Sequence, residues 1–142
     1  NISRQYDAII TTEKDWMRLK ETELASKILD LNIRENLEFK DGFIKNDKKH
    51  QLKVISIIRK YKPDFVFCNA PDDRHIDHPK ASNLITDSCF LSGLSKLKTS
   101  DENGITQEKW RPKNIFHYIS FTNVTIKASL SQKSHILLFS IT

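Results

Sequence analysis

The sequence predicts an α/β domain built on a mainly parallel sheet with flanking helices. Three observations predict it. Short apolar runs of strand length alternate with longer stretches of helical periodicity. Turn residues punctuate the junctions, at Asp41-Gly42, Lys62-Pro63-Asp64 and Ser92-Gly93. The most chemically loaded stretch, Asp72-Asp73-Arg74-His75-Ile76-Asp77-His78-Pro79-Lys80, begins a few residues past the end of an apolar run. That is where α/β sheets place ligands.

Each element has its own local reason. Asp7-Ala8-Ile9-Ile10-Thr11 reads as a short strand. Thr12, with Asp15 three positions on, suits the cap of a helix expected from about Glu13 to Asp30. Trp16, Leu19, Ile28 and Leu31 would share parts of its apolar face. Residues 36–46 read as a loop. From Lys48 to Tyr61 the apolar positions Leu52, Ile55 and Ile58 recur every three residues, with Val54 and Ile57 adjoining, which predicts an amphipathic helix. Asp64 to Cys68 is a strand of the buried kind, and residues 69–78 are expected as a loop. Pro79 fits the first turn of a helix reaching about Leu91. Residues 99–109 form a polar excursion, and residues 114–119 a further strand. The first strand is a candidate to pair with the Asp64–Cys68 strand.

Bulk properties narrow the function classes. A chain of 142 residues, 38% apolar and 29% charged, fits one folded domain. The net charge of +5 comes without a basic stripe interleaved with aromatics. The lysines read as solubilising, and no nucleic-acid partner is expected. No apolar run approaches the ~20 residues of a membrane span, so no membrane partner is expected. The opening NISRQYDAII lacks the basic-then-apolar order of a signal peptide. Cys68 and Cys89 read as a reduced, buried pair in a cytoplasmic protein.

His75-Ile76-Asp77-His78 offers three candidate metal donors in four residues. All three cannot easily wrap one ion from so short a stretch, because neighbouring side chains of an extended chain point opposite ways. One would ligate while another meets the substrate or orients its neighbour, as carboxylates orient metal-bound imidazoles. The plain alternative is a solvated turn capping the next helix. Residue chemistry alone leaves the two open.

At these residues the chain resembles the PIG-L/LmbE-like zinc N-deacetylases, and most of all the branch serving bacillithiol biosynthesis. The resemblance is carried by IRENL (33–37) with FKDG (39–42), HQL (50–52), IIRKY (57–61), NAPDDRHIDHP (69–79), DSCFLSGL (87–94) and WRPKNIFHYI (110–119). It spans about residues 24–119. It implies a Rossmann-like fold and hydrolysis of the acetamide of an amino-sugar conjugate, N-acetylglucosaminyl-malate. It implies Zn2+ as cofactor, with His78 as a ligand and His75 facing the substrate carbonyl. Asp77 would hold a histidine in orientation, and Arg74 would bind a substrate anion such as the malate carboxylate. A homo-oligomer is the inherited expectation.

The chain also departs from that pattern. The family's first motif, Ala-His-Pro-Asp-Asp, which supplies two further zinc ligands and the general base, is absent. His50, Asp41 and Asp47 are the candidate substitutes. Residues 6–19, YDAIITTEKDWMRL, look instead like a segment of the tetraacyldisaccharide (lipid A) 4′-kinases, without any P-loop. Residues 121–142 contain no Asp or Glu and break from the family pattern. They read as a frameshifted or diverged tail with a strand at about His135–Ile141. The expected organisation is therefore a kinase-like or unrelated piece (1–20), a partial deacetylase domain (21–120) and an atypical tail (121–142). The domain is expected to be incomplete. The competing expectation is an inactive remnant of the fold without a metal centre.

Overall fold

The protein is described here from a computed structural model, in which residues 8–11, 34–118 and 135–140 are described. Its elements in chain order are β1 (Ala8–Thr11), β2 (Arg34–Asn36), α1 (Lys48–Tyr61), β3 (Phe65–Asn69), α2 (Asp77–Ser92), β4 (Asn114–Tyr118) and β5 (Ile136–Ser140).

Helix α1 starts where Asp47 accepts the backbone N–H of His50 at 3.0 Å, an ordinary side-chain cap. It stops at Lys62, whose left-handed φ of 46° turns the chain and returns its N–H to the Ile58 carbonyl. Pro63 then forbids continuation. Helix α2 carries Pro79 in its first turn, where a missing N–H costs nothing. It ends at Ser92 with Gly93 as cap. The α1 span matches the sequence expectation, and α2 begins two residues before the expected Pro79.

The five strands form one sheet in the order β2-β1-β5-β3-β4, and all four pairings are parallel. Parallel strands need long crossovers, and helices supply them. Strand β3 alternates. Val66 and Cys68 are fully buried, in the core shared with Val54 and Ile58 of α1, Leu84 and Ile85 of α2, and Leu137 and Phe139 of β5. Phe65 and Phe67 face the other way, and Phe67 stacks on Phe116 of β4 with ring centroids 5.0 Å apart. Edge strand β2 is tied to α1 through Glu35, which accepts the Tyr61 hydroxyl and lies 2.8 Å from the Lys60 ammonium.

The structure corrects three expectations. Strand β1 does not pair with β3, because β5 lies between them. Asn36, expected as the first residue of a loop, instead ends β2 (Arg34–Asn36), which forms by pairing with β1. Asp64 stands just outside β3. There its carboxylate takes the His135 N–H and the Lys113 ammonium, joining the amino ends of β3, β4 and β5. The helix expected at residues 13–30 lies outside the described residues. The sheet draws strands from all three segments distinguished in the sequence. Among the described residues, no helix is long and apolar enough to cross a membrane.

Candidate functional site

Strand β3 ends at Asn69, and the chain rises through Ala70-Pro71-Asp72 into the motif. Asp73 makes the first fixed turn. Its Oδ1 accepts the backbone N–H of His75 at 3.0 Å, the two-residue closure typical of aspartate. The helix begins sooner than the sequence suggests: Asp77 and His78 lie in the first turn of α2, not in a loop. The helical start, rather than an extended backbone, therefore sets the directions of the three side chains.

The rings of His75 and His78 stack with centroids 4.7 Å apart and planes 24° from parallel. His75 is exposed and His78 half-buried. The Asp77 backbone N–H points to Nδ1 of His75 at 3.3 Å. A nitrogen that accepts carries no proton, so neutral His75 holds its proton on Nε2. It presents that group as a donor.

Asp73 Oδ2 lies 3.0 Å from Nδ1 of His78. The contact has the distance of an ion pair without the alignment of a hydrogen bond. The His78 ring, helped by the His75 N–H, holds the Asp73 carboxyl below the usual carboxylate range. This leaves the Nε2 edge of His78 turned away from the carboxylate.

Asp77 was expected to orient a histidine. Asp73 is the carboxylate that lies beside a histidine ring. The Asp77 side chain is fully buried and accepts the backbone N–H of Gly42, with Lys80 Nζ 3.4 Å away. The turn at Lys40–Phe43, closed by a 3.1 Å hydrogen bond and by Gly42 at φ +75°, is thereby docked onto the start of α2. The reason is steric direction: a residue at a helix's first position points along a different face from its neighbours. Asp73 carried a readable signal, the Asp-x-His spacing of an aspartate turn.

Arg74 is exposed, and its guanidinium has no partner among the described residues. His50 is held elsewhere: its Nδ1 contacts Asp47 at 2.7 Å and its ring leans on Phe39. The zinc that the sequence resemblance implies would need three protein ligands beside an open position. Among the described residues, no three His, Cys, Asp or Glu side chains converge as a metal cage. His78, with a carboxylate beside its far nitrogen, has the chemistry of one ligand; the set as described does not complete a zinc site.

The model of the PIG-L: GlcNAc-PI de-N-acetylase family matches residues 3–89. The match takes in residues 6–19 and runs through the motif into α2. Among solved structures, the conserved protein TT1542 from Thermus thermophilus is similar at a TM-score of 0.69 and 28% identity. The likeness covers 84% of this chain, which spans 56% of that one.

Proposed function

The chain belongs to the PIG-L: GlcNAc-PI de-N-acetylase family, a family of deacetylases, and on that footing we propose that it carries the hydrolytic residues for the acetamide of an N-acetylglucosamine conjugate. We take N-acetylglucosaminyl-malate, the bacillithiol-branch substrate, as the specific conjugate. The observation behind the reading is the stacked His75–His78 pair at the carboxyl end of β3, inside the family match.

Amide hydrolysis needs a donor for the carbonyl oxygen as it gains charge, and a proton for the departing amine. The Nε2–H of His75 suits the first task without prior protonation of the ring. Exposed Arg74 suits the malate carboxylate, which its planar fork can grip with two hydrogen bonds. His78 offers its Nε2 edge as the single metal donor, braced by Asp73 at 3.0 Å. When bound, zinc would supply a polarised carbonyl and an acidified water. Among the described residues the donors fall short of a complete site for it. The lipid A kinase likeness of residues 6–19 adds no phosphoryl transfer to this reading, since the chain has no P-loop. Two buried free thiols, Cys68 and Cys89, support a reducing, cytoplasmic setting.

The test uses the purified full chain. Zinc content is measured by elemental analysis, and acetate release is followed from N-acetylglucosaminyl-malate and from N-acetylglucosamine, with zinc supplied. Release that drops at least about a hundredfold in His75→Ala supports the reading. No release from either compound sinks it.

A further inference from the structure

Strand β4 ends beside β3, and its penultimate residue, His117, pairs in register with Cys68. The ring is exposed, yet one of its edges is firmly held. Nδ1 lies 3.1 Å from the Asn69 carbonyl oxygen, 2.9 Å from Ser82 Oγ and 3.3 Å from Cys68 Sγ. All three partners are buried. A carbonyl oxygen can only accept, so Nδ1 carries the proton. The neutral ring then has an unprotonated Nε2 on its opposite edge, turned to solvent. A fixed tautomer of this kind is what a binding or ligating imidazole needs.

The location adds to the chemistry. Asn69 is the last residue of β3, from which the motif loop rises. Ser82 stands four residues after His78 on α2, so the two share one helix face about a turn apart. His117 is thus hung from both walls of the candidate site, at the carboxyl end of neighbouring parallel strands. Burial pushes the Cys68 thiol up to about 12, so no thiolate competes for the Nδ1 proton.

We propose that His117 is a further substrate-binding residue, accepting at Nε2 a hydrogen bond from a hydroxyl or amide N–H of the amino sugar. The assignment rests on the deacetylase reading. It predicts a specific division of labour between two conservative variants. In His117→Asn the amide reaches only the Nδ1 position, so the anchor is kept and the acceptor lost. In His117→Gln the amide oxygen reaches the Nε2 position, so the acceptor is kept.

The experiment measures kcat and KM for N-acetylglucosaminyl-malate in both variants, with 15N spectra of the imidazoles of the wild-type chain titrated with N-acetylglucosamine. The expected result is a KM raised about five- to tenfold in His117→Asn, near the wild-type value in His117→Gln, with kcat little changed in both. The His117 Nε2 signal should read as unprotonated and shift with ligand. A purely structural role would give the reverse order, with His117→Asn benign and His117→Gln unstable, and would overturn the proposal. Wild-type turnover with no change in KM would overturn it and leave the deacetylase reading standing. A ligand-dependent shift at His117 in a chain without turnover would support the contact and sink the deacetylase reading. Absence of both shift and turnover would sink both.

Discussion

The buried carboxylate of Asp77 accepts the backbone N–H of Gly42, a residue 35 positions earlier in the chain. One hydrogen bond thus fixes where the Lys40–Phe43 turn sits against the first turn of α2, and so one wall of the candidate site. The contact is charge-assisted and shielded, which makes it stronger than a neutral pair.

Replacing Asp77 with Ala should therefore cost roughly 2 kcal/mol, since it strips the acceptor from a part-buried N–H. Asn at the same position keeps one acceptor and should cost less. Urea denaturation of the two variants checks this order. An unchanged midpoint for Asp77→Ala would show that the docked turn adds no stability.

Arg59 is 2% exposed and has no carboxylate partner among the described residues. Its guanidinium donates instead to the carbonyls of Ser92, Leu94 and Leu97 and to the Thr99 hydroxyl. These oxygens lie at and just beyond the C-terminus of α2, where the helix dipole favours a cation. Arg59→Lys cannot reproduce the planar fork and should destabilise by about 2 kcal/mol; Arg59→Ala should cost about 3 kcal/mol. Thermal melts read the effect, and Lys and Ala being equally harmless would refute the clamp.

A Cβ at Gly93 would stand 2.5 Å from Nε of Arg111. Gly93 has φ −79°, so the backbone itself tolerates alanine. Arg111 is exposed and can swing aside, giving up its stack on Phe90 at 4.5 Å and its 3.0 Å bond to the Phe90 carbonyl. Gly93→Ala should cost at most about 1 kcal/mol in the native background. In an Arg111→Ala background the Nε and Cζ contacts are gone but the Cβ of residue 111 stays 3.0 Å away, so the same change should cost less than in the native background without becoming stabilising. A double-mutant cycle by denaturation gives the sign of the coupling.

Asp64 links the chain to acid. The Lys113 ammonium at 2.8 Å, with the His135 N–H, holds its carboxyl below the ordinary value of 3.8. Burial opposes this but does not win. A depressed folded pKa means that the contribution is complete above 3.8 and lost as pH falls through the lower folded value. Stability should therefore fall with acid below about pH 4, and Asp64→Asn should flatten that part of the profile. Salt should weaken the effect, because Lys113 is largely exposed. Equal acid slopes in the two proteins would refute the assignment.

What the sequence showed, and what it hid, divides along the range of the interactions. Helix α1 and the turn at Asp41-Gly42 were legible because a three-residue apolar rhythm, a proline and a glycine act within a few positions. Strand β2 was not: Arg34-Glu35-Asn36 has no strand chemistry and becomes a strand only by pairing with β1. The location of the motif beyond β3 followed from the fold class. The direction of its side chains did not, because it depends on the helix starting at Asp77 rather than after His78. With the helix starting two residues earlier, the Asp77 carboxylate meets the Gly42 N–H, and Asp73 is the carboxylate beside His78. The anchoring of His117 was out of reach, since Asn69, Ser82 and Cys68 lie 35 or more residues away along the chain.

Strand β5 lies between β1 and β3, yet it is made after both. A nascent chain leaving the ribosome cannot then grow this sheet strand by strand from one side. In the finished sheet only residues 136–140 join the pair β2–β1 to the pair β3–β4. The arriving segment must enter a slot and zip along two neighbours at once, sealing Leu137 and Phe139 as it goes. Until it does, each pair exposes an open edge to strands of other chains. Assembly is thus committed late, and the interval before closure is when a chaperone would be needed most.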